Sequence, residues 1–133
     1  MAEYTLTTAT AVSVGGSIPF NNTVVPGCGC IRHRSGSGNV KVKGSNNPYR
    51  YRVTFSANVT GVAGDIQAAI YLDGEQLPET LMSVVPVAAD DVWTINTATE
   101  ILADCSCENV SVRIVTGASV TVQNAAIIVE KEN

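Results

Sequence analysis

The chain has 133 residues, 45% of them apolar and only 15% charged, with a net charge of −4 and four cysteines. That length suits one domain with a core of its own, and the apolar content excludes a disordered chain. The negative balance excludes a nucleic-acid binder that works through an overall basic surface, and no apolar run comes near the ~20 residues of a membrane-spanning helix.

The opening "MAEYTLTTATAV" has neither the basic segment nor the apolar segment of an export signal, so synthesis in the cytoplasm without a signal peptide is expected. From there on the apolar residues alternate, as in "VKVKG", "YRYRVTFSANV", "DIQAAIYLDG" and "NVSVRIVTG". Period two, rich in Val, Ile, Thr and Tyr and bounded by Gly, Asn and Asp, is the pattern of half-buried strands. It predicts strands at 4–7, 11–14, 30–34, 39–43, 50–60, 65–72, 80–86, 92–102, 109–116 and 119–130. "SGSGN" (35–39), "LDGE" (72–75) and "TGAS" (116–119) supply turns, the second with the Asp-Gly of a tight hairpin. The five prolines fall at strand ends or in loops, where a missing N–H is harmless. Within 89–101 the Ala and Glu residues would also suit a helix.

No linker or repeat divides the chain, so residues 1–133 read as one all-β domain, a two-sheet jelly-roll sandwich. The last strand, "SVTVQNAAIIVE", alternates through Val122 and then turns apolar at every position from Ala125 to Val129. Such a strand needs cover on both faces, from a central place in its sheet or from another protomer. Ile127 and Val129 are the candidate interface residues.

Cysteines occur as two Cys-x-Cys pairs, Cys28/Cys30 and Cys105/Cys107. Extended backbone sends both side chains of such a pair to one face, about 7 Å apart by the ~3.3 Å rise per residue. That spacing is unlike the two to four intervening residues of most structural zinc sites. Bridging between the two pairs is easier than bridging within one, so these four residues are candidate disulfide staples. Free buried thiols and metal ligation stay open beside that reading. His33 lies between Arg32 and Arg34 and reads as a surface or interface histidine.

Arg32, Arg34, Lys41, Lys43, Arg50 and Arg52 fall within 21 residues. They read as solvated strand faces, with a small anion-facing patch as the alternative. Glu75, Glu79, Asp90 and Asp91 lie near hairpins, but one tryptophan and two phenylalanines give sugar-cleaving acids little aromatic platform. No phosphate loop or nucleophile elbow is present, and the Asp90-Asp91 turn with backbone oxygens supplies few of the ligands that calcium needs. No catalytic residue, metal or cofactor is expected.

The ordered set "YRYRVTFSANVTG", "IQAAIYLDGEQLPET", "TINTATEILADCSCENVSVRIV" and "SVTVQNAAIIVEK" resembles the jelly roll of the tumour-necrosis-factor and complement globular-head type. Over nearly all its length the chain also resembles short virion proteins of phages infecting Clostridia-type bacteria, through "MAEYTL", "HRSGSGNVKVKG", "LDGEQLP" and "VQNAAIIV". These motifs are structural. The resemblance implies a homotrimer displayed on the virion surface as a capsid decoration or head-fibre protein, with itself, the major capsid protein or other virion proteins, or a host-surface glycan as partners. Neither nucleic acid nor membrane is among them. The doubled Cys-x-Cys departs from that pattern. The alternative reading is a receptor- or carbohydrate-binding module of a phage fibre, and a small Cys/His enzyme comes third.

Overall fold

The computed structural model describes residues 1–27, 29–44, 49–61, 64–88, 91–103, 107–117 and 120–132. Nearly every alternating stretch is a strand: β1 (Ala2–Leu6), β2 (Thr10–Val12), β3 (Asn22–Val25), β4 (Ile31–His33), β5 (Val40–Lys43), β6 (Tyr49–Thr60), β7 (Ile66–Leu72), β8 (Glu75–Gln76), β9 (Met82–Val84), β10 (Trp93–Ala103), β11 (Cys107–Thr116) and β12 (Val120–Lys131). Helix among the described residues is confined to one 3-10 turn, Pro78–Thr80.

The ambiguous stretch 89–101 is strand from Trp93 onward, paired along its whole length with β6. Tertiary pairing overrides the helix propensity of Ala and Glu there. Two strands lacked a signal. β3 reads "NTVV" with three exposed positions in a row, and β8 is the two-residue second arm of the Asp73–Gly74 hairpin. In that turn both residues have positive φ, 51° and 82°, the conformation a two-residue hairpin needs and Asp-Gly adopts readily.

The strands form two antiparallel sheets. One runs β10-β6-β12-β1-β3, with β2 beside the start of β12. The other runs β4-β5-β11-β7-β8, with β9 also beside β7. The first strand pairs with the last, Ala2 opposite Val129, and the mid-chain β6 flanks β12 on its other side. Chain ends and chain middle thus share a sheet, and the fold is a two-sheet jelly-roll sandwich. Inward side chains of both sheets, among them Tyr51, Phe55, Ile70, Ile114 and Ile127, make one core with at most 2% of each exposed.

The hydroxyls of Tyr51 and Thr80, both buried in this core, are paired, as burial requires. Tyr51, on β6, reaches across the sandwich and donates its hydroxyl to the Lys43 carbonyl at 2.6 Å. Thr80 accepts from the Ile70 amide at 2.8 Å and donates to the Leu77 carbonyl at 2.7 Å. Tyr51 therefore ties the end of β5 to the opposite sheet.

Ile127 and Val129 are 0% exposed within a single chain, so neither has surface left for a partner. The reason is a bulge. Gln123 pairs with Asn58 and Ala126 with Ser56, leaving Asn124 and Ala125 opposite Ala57. Asn124 takes a left-handed φ of 54°, and the parity of inward positions shifts there. Val120 and Val122 point inward before it, and Ala125, Ile127 and Val129 point inward after it. The outward residues of that arm are Ala126, Ile128 and Glu130. β12 is also the central strand of its sheet, one of the two positions that its apolar run required.

Candidate functional site

Two outer faces carry the features that function could use. On the first sheet, registers align Asn96, Ser56, Ala126 and Thr5 in one row across β10, β6, β12 and β1. The next row holds Ala98, Thr54, Ile128 and Glu3, followed by Glu100, Arg52 and Glu130. Across β10, β6 and β12 the middle of this face is therefore small, neutral or apolar; its charges are Glu3 on β1 and the group toward one end. Ala126 and Ile128 are half-buried, whereas Leu102, farther along β10, is 55% exposed. β10 forms one edge of the sheet, so one side of its eleven-residue backbone has no strand partner among the described residues.

At the charged end, Glu132 continues the ladder through its amide, which donates to the Arg50 carbonyl at 2.8 Å. A hydrogen bond to Glu100 raises the Glu132 carboxyl above its ordinary value of 4.5; partial desolvation and the Glu100 charge add to this, against Arg52 and Arg50.

On the second sheet, β5 lies between β4 and β11. Arg32 is directly opposite Lys41, which is opposite Asn109. Cys107 is opposite Lys43, and the Lys43 amide donates to the Cys30 carbonyl at 2.8 Å on the other side. The outward face thus carries a row Cys30–Lys43–Cys107 beside a row Arg32–Lys41–Asn109. Cys30, Cys107, Arg32, Lys41, Lys43 and Gly29 surround a cavity of ≈ 220 Å³. A neighbouring hollow of ≈ 410 Å³ shares Arg32 and Lys41 and adds His33, Arg34, Ser37, Asn39 and Asn109.

This geometry constrains the candidate staples. Cys30 and Cys107 are free thiols, half-buried and exposed respectively. With a whole strand between them, their Cα atoms lie about 9–10 Å apart by the ~4.8 Å strand spacing. A disulfide tolerates up to ~7 Å, so these two do not bridge each other while β5 is in place. Cys28 and Cys105 lie outside the described residues, and so do all pairings that use them. Among the described residues no three His, Cys, Asp or Glu side chains come together as metal ligands.

The remaining candidates are scattered. His33 faces inward rather than outward. Its ring stacks on Tyr4 at 4.5 Å and meets Phe20 edge-on at 6.2 Å, and Nε2 lies 2.9 Å from the Ser37 carbonyl. It packs within its own chain at one end of the sandwich. Asp91 accepts from the amides of Val87 and Ala88 at 3.2 and 3.1 Å, which organises a loop. Glu75 and Glu79 are exposed, on β8 and the 3-10 turn respectively, and Asp90 lies outside the described residues.

Solved structures share this architecture over nearly the whole chain. Eiger TNF from S. frugiperda matches with a TM-score of 0.76 and 12% identity, over 99% of this chain and 91% of that one. The globular domain of zebrafish complement 1qA protein matches at 0.72 and 9% identity, over 97% and 94%. Murine APRIL at pH 5.0 matches at 0.69 and 12% identity, over 97% and 98%. The fold is therefore the TNF/C1q-type jelly roll. No protein-family model and no curated protein sequence matches the chain.

Proposed function

We propose that this chain is a non-enzymatic structural protein of a phage virion, a homotrimer on the particle surface acting as capsid decoration or head-fibre component. The observation that carries the self-association is the outer face of the first sheet. Its part on β10, β6 and β12, from Asn96 and Ala98 across Ser56 and Thr54 to Ala126 and Ile128, bears no charge, and Glu3 on β1 bounds it. Beside it runs β10, an edge strand with no further strand paired to it among the described residues. Long uncovered edges invite pairing with other chains, so soluble proteins cover them or break them with charge. Closed cyclic assembly covers such a surface without leaving a sticky end. The TNF/C1q-type fold supports a trimer, and the sequence resemblance to short phage virion proteins supports the setting. The mechanism is adhesion by shape: three sandwiches bury neutral faces against one another and turn their loops and second sheets outward.

Light scattering tests the assembly. A mass near three times the 13.9 kDa of one chain is expected, and a 13.9 kDa particle at micromolar concentration refutes it. Ala126→Arg, between Ser56 and Thr5, puts a charge in the middle of the neutral face and should give a folded monomer. Density-gradient-purified particles from a phage-producing culture that encodes the chain should contain it by mass spectrometry, and its confinement to the cell pellet would count against the virion setting.

A further inference from the structure

The outer face of β4, β5 and β11 bears a charge pattern that folding does not explain. Arg32 and Lys41 stand directly opposite each other, with Lys43 two residues along on the same side. Like charges in facing positions destabilise a sheet. Among the described residues no carboxylate faces them directly: the facing residues on β11 are Cys107 and Asn109, and Asp73, beyond Asn109, is engaged by the Asn109 amide at 2.7 Å. The one acid of these three strands, Glu108, is opposite Val42 and so belongs to the inward row. In a chain of net charge −4, a cationic patch with no directly facing acid among the described residues, spread across two adjoining hollows, points to an anionic ligand.

We propose that this face binds an acidic saccharide, with the Arg32 guanidinium clasping an oxyanion group on the sugar and Lys41 and Lys43 flanking it. The hollow on one side of the Arg32–Lys41 pair is lined by Cys30, Cys107 and Lys43, and the other by His33, Arg34, Ser37, Asn39 and Asn109. A guanidinium fork matches a carboxylate or sulfate in two parallel hydrogen bonds. The amides and hydroxyl of the larger hollow suit sugar hydroxyls. Nucleic acid fits poorly. The aromatic ring that lines the larger hollow, His33, already packs against Tyr4 and Phe20 rather than standing out to stack on a base, and a few cations on an acidic chain oppose a dense phosphate backbone. This site uses the second sheet and does not depend on the trimer, which uses the first. A chain that trimerises but ignores acidic sugars overturns only this inference.

The test titrates the intact protein with tetragalacturonate, a sulfated dextran fragment, neutral maltotetraose and a short single-stranded DNA. At least one acidic saccharide should bind while the neutral one does not, and the tighter of the two assigns a carboxylate or a sulfate. The double variant Arg32→Gln/Lys41→Gln should weaken that binding by about tenfold or more, and Arg52→Gln on the first sheet should leave it within about twofold. A readout on the unaltered protein stands beside these. Bound saccharide should slow iodoacetamide alkylation of Cys107, followed by peptide mapping, and maltotetraose should not. The inference is overturned by any one of four results: no acidic saccharide binds, the neutral sugar binds as well, DNA binds more tightly, or Cys107 reacts at an unchanged rate in the saccharide's presence.

Discussion

Asn124 decides which half of β12 faces the core. With a left-handed φ of 54° it accommodates the extra residue of the bulge, and the apolar positions jump from Val122 to Ala125. A strand without the bulge would keep Gln123 outward but turn Ala125, Ile127 and Val129 outward with it, since a one-residue slip reverses every side chain that follows. Asparagine tolerates this conformation and glycine tolerates it better, whereas a β-branched side chain is strained there. Asn124→Gly should therefore leave stability nearly unchanged, and Asn124→Val should lower it by about 1–3 kcal/mol in chemical denaturation. A valine variant as stable as the parent would show that the bulge does not impose the inward register. The sequence held the cue in "VTVQNAAIIV", where alternation breaks at Gln-Asn. Read without the bulge, the same residues look apolar on both faces, which is why Ile127 and Val129 were expected at an interface.

Strands were legible where one face is buried and opaque where it is not. β5 and β6 alternate cleanly between buried and exposed positions, and their periodicity predicts them within a residue or two. β3 is exposed at three of four positions and pairs only with β1, so nothing in its composition marks it. The cationic face was legible as a cluster in sequence, but not as a site, because the meeting of β4 with β11 across β5 is a long-range register. That register also governs the thiols. Cys30 and Cys107 both flank Lys43, and a bond between them would require the intervening strand to leave. Oxidation of the folded protein with diamide, followed by non-reducing peptide mapping, should yield no Cys30–Cys107 peptide. Recovery of that link from folded protein would mean that β5 can peel away from its neighbours.

Over the molecule as a whole, charge is divided between the two outer faces. The second sheet's β4 and β5 present cations without facing acids, while one end of the first sheet gathers Glu100, Glu130 and Glu132 around Arg50 and Arg52. The acids there crowd one another enough that Glu132 holds its proton more tightly than an ordinary carboxyl, chiefly by sharing it with Glu100. A group that binds its proton more tightly when folded contributes stability that is fully present below its unfolded value, here about 4.5. That contribution is lost as pH rises through the higher folded value, where two carboxylates face each other. Glu132→Gln keeps a hydrogen-bond donor to Glu100 and removes the titration. Melting curves of parent and variant measured side by side should therefore diverge in one direction, the parent losing ground as pH is raised from about 4 to about 6.5. A parent that instead gains on the variant over that range would mean that Arg50 and Arg52 outweigh Glu100. Glu132 would then act as an ordinary ion-paired acid rather than as half of a shared-proton pair.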